Sequence, residues 1–219
     1  MSNNRLLLRL SLCLTAFFLQ PLDAEVKPLF DGKTFEGWEG ETAKVWRIVD
    51  GVIVGGSLEG NPQNEFLATK KSYKSFALKF EYKLHGTTGF VNGGMQFWSQ
   101  RHEQKPHEMK GFQADIGHGY TGALCDEMRR MPNVLVKPDP KLIEAIEKKG
   151  EWNRYEVRCE GSRIRNLVNG KLTVDYTEKD PAIPLEGKFG LQIHGNCKAE
   201  ISFRNLTIEE LADEEKAKP

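Results

Sequence analysis

Residues 74–84 read KSFALKFEYKL, and their apolar side chains recur at every second position. One side of the extended chain carries the larger apolar residues, which are Phe76, Leu78, Phe80, Tyr82 and Leu84. The other side carries one alanine and three charged residues. An alternation of period two predicts a β-strand with one face in a core and the other toward water.

Segments of the same kind occur on both sides of this strand. They are WRIVDGVIVGG (46–56), GGMQFWSQ (93–100), EWNRYEVRCEGSRIRNLVNGKLTVDY (151–176), GKFGLQIHG (187–195) and AEISFRNLTIEEL (199–211). Two of them contain a tight-turn pair, Asp50-Gly51 and Asn169-Gly170. Such pairs predict β-hairpins, because glycine and asparagine accept the positive φ that a two-residue turn requires.

A single segment, PDPKLIEAIEKKGEW (138–152), has a helical pattern. Asp139 can cap this helix, Pro140 suits its first position, and Gly150 ends it after two lysines. Many short strands with one small helix predict an all-β fold, a sandwich of two antiparallel sheets with one short inserted helix. A parallel βαβ architecture would need alternating helices.

Charge and length narrow the class of protein further. Lysine plus arginine number 31, and aspartate plus glutamate also number 31. No net field draws the chain to nucleic acid or to an anionic membrane, so we expect neither as a partner. A sandwich of about 200 residues is commonly one domain, which we place at 25–211, followed by a charged, disordered tail at 212–219.

The N-terminus has the layout of a secretory signal peptide. Arg5 and Arg9 precede an apolar run at 10–19, and the small residue Ala24 follows. The run is shorter than the roughly 20 residues of a membrane span. We therefore expect a signal peptide at 1–24, cleaved after Ala24, and a secreted or periplasmic mature protein.

The mature part contains three cysteines, Cys125, Cys159 and Cys197. An odd number without close pairs disfavours a disulfide framework and a zinc site. We expect buried, reduced cysteines, with one disulfide and one free thiol as the alternative.

Several blocks, taken in order, resemble the 3-keto-disaccharide hydrolase family. They are PLFDGKTFEGW (28–38), WRIVDGVIVGG, GGMQFW, GFQADIGHGYTGALCDEMRR (111–130), the 151–176 segment, GLQIHG (190–195) and ISFRNLTIEEL (201–211). The resemblance covers 28–211. The 138–150 helix looks like an insertion, and Cys125 stands where relatives often have an aromatic residue.

The resemblance implies a concanavalin A-like jelly roll with a carbohydrate groove on its concave face. It also implies lyase, hydratase or hydrolase activity on 3-keto-glycosides. An upstream glycoside 3-dehydrogenase would supply the ketone. A non-catalytic carbohydrate-binding module of the same fold is the alternative function.

The block at 111–130 concentrates charge and glycines, and we take it as the candidate site. On a strand, Gln113 and Asp115 point to the same face. A retaining glucanase would carry Glu-x-Asp-x-x-Glu there, but this chain has Gln113, Asp115 and His118. Glutamine cannot act as a nucleophile, so this pattern disfavours ordinary glycosidase chemistry.

Cleavage next to a 3-keto group needs a base for the C2 proton, an acid for the leaving oxygen, and a cation facing the enolate. The candidates for catalysis are Asp115, Asp126, Glu127 and His194. The candidates for substrate binding are Gln113, Gln192, His118, Trp98, Arg129 and Arg130. Whether an arginine or a divalent metal ion stabilises the enolate stays open, as does the metal's identity. The alternative without a catalytic role is that the charged residues form exposed salt bridges in a solvated loop. Each such bridge would contribute roughly 0–1 kcal/mol to stability.

Overall fold

Strands form nearly all the regular structure of residues 25–212, the part of the chain that the computed structural model describes. The predicted signal peptide at 1–24 lies outside the described residues. The predicted tail at 212–219 does so too, apart from Ala212.

The strands of residues 25–212 form two antiparallel sheets. Sheet A has the order β13-β12-β11-β6-β15-β4-β3, with β1 paired to β15. Its strands are β1 (Val26–Pro28), β3 (Trp46–Val49), β4 (Val52–Asn61), β6 (Phe76–Gly89), β11 (Asn153–Glu160), β12 (Arg163–Val168), β13 (Lys171–Thr177) and β15 (Cys197–Glu210).

Sheet B has the order β10-β9-β8-β7-β14-β5-β2. Its strands are β2 (Trp38–Glu39), β5 (Glu65–Thr69), β7 (Asn92–His102), β8 (Lys105–Gly117), β9 (Leu124–Glu127), β10 (Val134–Val136) and β14 (Lys188–Ile193). The prediction of an all-β, two-sheet antiparallel sandwich is confirmed.

The main hydrophobic core lies between the two sheets. Sheet A contributes the apolar side of β6, including Phe76, Leu78 and Phe80, as the alternation predicts. Sheet B contributes alternate residues of its strands, among them Met95 and Ala114. Side chains at the intervening positions of sheet B therefore project from its outer face, the face turned away from this core.

Both predicted hairpin turns form. Asp50 and Gly51 join β3 to β4 with φ of 51° and 78°, and Asn169 and Gly170 join β12 to β13 with φ of 48° and 78°. Two successive positive φ values match the type I′ turn, whose twist suits the flanking strands.

Helix α1 spans Pro140–Ile146, and the side chain of Asp139 caps it by accepting from the Lys141 N–H. The helix ends three residues earlier than Gly150 suggests. Glu147 takes an extended conformation, and its carboxylate accepts hydrogen bonds from Thr121 Oγ1 at 2.7 Å and Tyr82 OH at 3.3 Å. These two bonds tie the end of the insertion to both sheets.

The three cysteines within residues 25–212 are buried and free, as we expected. Within the same range, no helix has the length and apolarity needed to cross a membrane.

Candidate functional site

The candidate site lies on the outer face of sheet B, where β8 places Gln113 and Asp115. The neighbouring residues Ala114 and Ile116 pack into the core, so Gln113 and Asp115 project together on the other face, as their spacing predicts. Asp115 is only 5% exposed and Gln113 only 1%. A carboxyl group that is this buried needs hydrogen-bond partners.

Asp115 receives three hydrogen bonds. Asn92 Nδ2 donates to Oδ1 at 2.5 Å, and Gln113 Nε2 donates to Oδ2 at 3.2 Å. The thiol of Cys125 donates to Oδ2 at 3.6 Å. The partners come from β7, β8 and β9, so three adjacent strands fix the position of this carboxyl group.

A glycine allows the carboxamide of Gln113 to cross a neighbouring strand. Gln113 Nε2 donates to Gln192 Oε1 at 2.8 Å, although β7 lies between β8 and β14. A Cβ on Gly94 of β7 would lie 2.9 Å from the Gln113 side chain. Because glycine leaves that space open, the carboxamides of Gln113 and Gln192 meet above β7.

The environment of Asp115 changes its acidity strongly. Burial is the main cause that raises the pKa of Asp115 to about 7. The hydrogen bond from Asn92 opposes this shift, and the negative charge of Glu127 adds to it. A carboxyl group that titrates near neutral pH suits general base catalysis.

This shift leads to a prediction about stability. The folded protein holds the Asp115 proton between pH 4 and 7, whereas the unfolded chain releases it near 3.8. Wild-type stability therefore falls as pH rises through this window. Asparagine cannot ionise, so the stability of Asp115→Asn lacks this pH dependence. We therefore expect the free energy of unfolding of Asp115→Asn, relative to that of wild type, to be higher at pH 8 than at pH 4. The gain should be up to about 1.4 kcal/mol per unit of pKa difference between the folded and unfolded states.

Urea denaturation of both proteins at pH 4 and pH 8, with a chelator present, measures this gain. Comparing the two pH values cancels the pH-independent cost of fitting an amide among the donors Asn92 and Gln113. An equal stability difference at both pH values would contradict the raised pKa.

Glu127 and Cys125 lie beside Asp115 on the outer face. Burial is the main cause that raises the pKa of Glu127. The hydrogen bond from Asn133 Nδ2 at 3.0 Å lowers this pKa, and the negative charge of Glu108 adds to the rise. Burial, followed by the charge of Asp115, raises the pKa of the Cys125 thiol. The site therefore favours neutral, protonated forms of these groups.

Asp115, Cys125 and Glu127 could together hold a metal ion. One ligand atom from each lies within 4.8 Å of the others. The thiol makes this set softer than the all-oxygen sets of Ca²⁺ and Mg²⁺, whereas zinc accepts sulfur and carboxylate ligands together.

Asp126 points away from this site, because it lies between Cys125 and Glu127 on β9. It pairs with the core residue Phe112 in the β8–β9 register and is fully buried. Its Oδ1 accepts from Arg129 Nε at 2.5 Å, and its Oδ2 accepts from Arg130 Nε. Arg130 Nη2 also donates to Glu178 at 2.6 Å.

These four residues form a buried ion-pair network, which we call the ionic clasp. It links β9 of sheet B to the end of β13 in sheet A. The guanidinium groups of Arg129 and Arg130 lie 4.5 and 5.5 Å from the centroid of the Phe112 ring. The structure does not bring Asp126, Arg129 or Arg130 to Asp115, nor does it leave them in a solvated loop.

Trp98 also lies in the core, against Phe76, Phe97 and Phe112, and not on the outer face. Its φ of 46° accompanies an irregularity in the pairing of β7 with β8 between Phe97 and Gln100. This bulge turns two consecutive aromatic residues toward the core. Trp98 Nε1 donates to the Lys74 carbonyl at 2.6 Å.

His118 follows β8 and His194 follows β14 at the same end of sheet B, and both imidazoles contact the ring of Phe90. The centroid of the Phe90 ring is 4.7 Å from that of His194 and 4.5 Å from that of His118. His194 Nδ1 lies 2.7 Å from the Gly195 carbonyl. A carbonyl only accepts, so Nδ1 carries the proton and Nε2 is left to exchange protons with a ligand or water.

The sequence argument missed Asn92 and Gln96, which β7 places on the outer face. Gln96 is fully buried, and its Nε2 donates to the Met109 carbonyl at 3.4 Å. Within residues 25–212, the Oε1 atoms of Gln96 and Gln113 lack a hydrogen-bond partner. The alternation of Asn92, Gly94 and Gln96 along β7 was the signal that could have identified them.

Two antiparallel sheets packed face to face, with polar residues gathered on the outer face of one sheet, have the architecture of a jelly-roll protein. The chain belongs to the family of the 3-keto-alpha-glucoside-1,2-lyase-like domain, which matches residues 25–209. This confirms the resemblance seen in the sequence. Membership gives the chain a carbohydrate-related function. None of the curated proteins compared with it matches significantly.

Solved structures share the fold. A putative glycosyl hydrolase from Parabacteroides distasonis ATCC 8503 is 21% identical over 85% of this chain and 94% of its own, with a TM-score of 0.63. A second from the same organism is 24% identical over 85% and 100%, with a TM-score of 0.57. The carbohydrate binding module CBM66 from Bacillus subtilis is 18% identical over 79% and 95%, with a TM-score of 0.58. These likenesses confirm the jelly-roll fold.

Proposed function

We propose that this protein is an exported enzyme that cleaves 3-keto-glycosides by removing the C2 proton and eliminating the C1 substituent. The observation that carries the proposal is Asp115, a buried carboxyl group with a pKa of about 7, held among amides on the outer face of sheet B. The family's connection with 3-keto-alpha-glucosides supports the choice of substrate.

Asp115 acts as the base in this reaction. The 3-keto group acidifies the hydrogen on C2, and the Asp115 carboxylate takes that proton while the electron pair passes to the ketone oxygen as an enolate. When the enolate collapses, the C1–O bond breaks and a C1–C2 double bond remains. Water can then add across that bond, which makes the net reaction a hydrolysis.

Glu127 supplies the proton for the leaving oxygen. Its raised pKa keeps it protonated to higher pH than an exposed glutamate. One of its oxygens lies within 4.8 Å of a carboxylate oxygen of Asp115, so both carboxyl groups can reach one sugar ring. His194, through its free Nε2, relays protons between this pair and solvent.

The carboxamides recognise the sugar. Gln96, Gln113 and Gln192 offer neutral donors and acceptors, which match sugar hydroxyl groups and carry no net charge. The unpartnered Oε1 atoms of Gln96 and Gln113 are costly when buried without a donor. Hydroxyl groups of a bound sugar would supply that donor.

The enolate needs positive charge nearby. Lys137 is a cation close to the site, since its Nζ lies 4.2 Å from the Tyr120 ring centroid and its charge lowers the pKa of Cys125. A metal ion held by Asp115, Cys125 and Glu127 would supply Lewis-acid charge instead, and the two carboxylates would then bind the metal and not act as base and acid. The substrate ketone itself must come from a separate oxidation, the reaction of a glycoside 3-dehydrogenase.

Proton NMR of the purified protein with a 3-keto-glucoside in D₂O tests the function. We expect release of the leaving group together with deuterium at C2, because Asp115 exchanges its proton with solvent before water adds back. Parallel samples with a chelator, and with Lys137→Ala, separate a bound metal from Lys137 as the stabilising charge.

Release without deuterium would replace elimination with direct hydrolysis. Failure to release any leaving group, with metal supplied and several aglycones tried, would favour a non-catalytic carbohydrate-binding module instead.

A further inference from the structure

Phe90 is the centre of an aromatic cluster at one end of the outer face of sheet B. It is half-buried, and rings from two other segments surround it. His118 and Tyr120 come from the β8–β9 turn, with centroids at 4.5 and 6.0 Å from that of Phe90. His194 follows β14, with its centroid at 4.7 Å. Two distant segments thus converge on one aromatic side chain that lies outside the hydrophobic core.

The cluster is linked to Asp115 through Asn92. Asn92, which donates to Asp115, is two residues after Phe90. Val91, between them, packs against the core. Phe90 lies in the turn that precedes β7, where the Val91 N–H donates to the Gly89 carbonyl at 3.1 Å. The His194 N–H donates to the Asn92 carbonyl at 3.0 Å, which fixes the spacing of the two groups.

Hydrogen bonds in the β8–β9 turn hold one member of the cluster in a strained backbone conformation. His118 has a φ of 42°, a left-handed conformation that costs a non-glycine residue free energy. Thr121 of the same turn accepts from the Gly117 N–H and donates to Glu147, both at close distance. The turn is therefore anchored with the imidazole of His118 against Phe90.

We propose that Phe90, flanked by His118 and His194, forms the leaving-group subsite and selects substrates whose leaving group presents a flat ring face. This inference rests on the proposed function. A ring bound to the C1 oxygen of a sugar at Asp115 would contact this cluster when it extends toward the same end of sheet B. Apolar ring faces pack on aromatic side chains, and the imidazoles add polar edges for hydroxyl groups.

The test compares three 3-keto-glucosides, with methyl, glucosyl and 4-nitrophenyl leaving groups. We expect Phe90→Ala to lower kcat/KM about tenfold for the ring-bearing compounds, a loss typical of one aromatic contact. The methyl compound should change less than about twofold on the same reasoning. Phe90→Trp should restore the difference between ring-bearing and methyl substrates. Melting temperatures of all variants show whether each is folded.

The outcomes separate this inference from the function on which it rests. A loss confined to the glucosyl compound identifies a sugar as the preferred leaving group, and a loss confined to the nitrophenyl compound identifies an aromatic one. If Phe90→Ala lowers kcat/KM equally for all three compounds, or for none of them, Phe90 does not form a leaving-group subsite. The proposed cleavage of 3-keto-glucosides is not affected by that result. If the wild-type protein releases none of the three leaving groups, the proposed function fails, and the leaving-group role fails with it.

Discussion

Replacing Asp115 with asparagine is expected to lower kcat for a 3-keto-glucoside by a factor of about 10² to 10⁴, the usual contribution of a general base. Asparagine has nearly the same shape but cannot accept the C2 proton. Deuterium exchange at C2 should fall with the same factor, since the same proton transfer controls both. NMR of substrate in D₂O measures both rates in one sample.

A surface carboxylate provides the matched control. Asp175 is paired with Arg163 on sheet A at 2.6 Å and is well exposed, so Asp175→Asn should leave kcat unchanged. If Asp115→Asn keeps more than a tenth of the wild-type kcat, Asp115 is not the base. Substrate binding by Asp115→Asn, followed by line broadening, should persist because Gln113 and Gln192 remain.

Replacing Asp126 with alanine is expected to cost about 3–5 kcal/mol of unfolding free energy, the range for removing one partner of a buried ion pair. The change leaves Arg129 without its carboxylate, while Arg130 keeps Glu178. The Arg129 side chain is only 12% exposed, so water replaces the lost carboxylate poorly. Urea denaturation at pH 7 measures the cost.

Asp175→Ala, which breaks an exposed pair, should cost less than about 1 kcal/mol. Where Asp126→Ala remains folded at low temperature, its kcat should stay within severalfold of wild type, because Asp126 points away from Asp115. If Asp126→Ala instead keeps the stability of wild type but loses turnover, Asp126 takes part in the reaction.

Alternation along single strands was enough to predict the sandwich and the shared face of Gln113 and Asp115. The pattern in 74–84 placed Phe76, Leu78 and Phe80 in the core, and the same rule placed Gln113 and Asp115 on one face. These predictions succeed because regular strands have a side-chain period of two, whatever their partners.

Alternation does not predict the direction of a side chain where a strand is irregular or is not recognised as a strand. Residues 124–127 form β9, a strand that is absent from the elements predicted from the sequence, so the opposite directions of Asp126 and Glu127 are missed. Trp98 follows no alternation, because the bulge after Phe97 reverses its face. The convergence of Phe90 with His118 and His194 depends on strand order, which a single sequence does not reveal.

The order of the strands has a consequence for how this protein is made. β14 lies between β7 and β5, and β15 lies between β6 and β4, so residues 188–210 fill the middle of both sheets. A nascent chain that has already emerged with Asp115 still lacks Gln192 and exposes unpaired strand edges. The complete candidate site therefore forms only when residues 188–210 have been made, and we expect a premature stop before Lys188 to yield a fragment prone to aggregate.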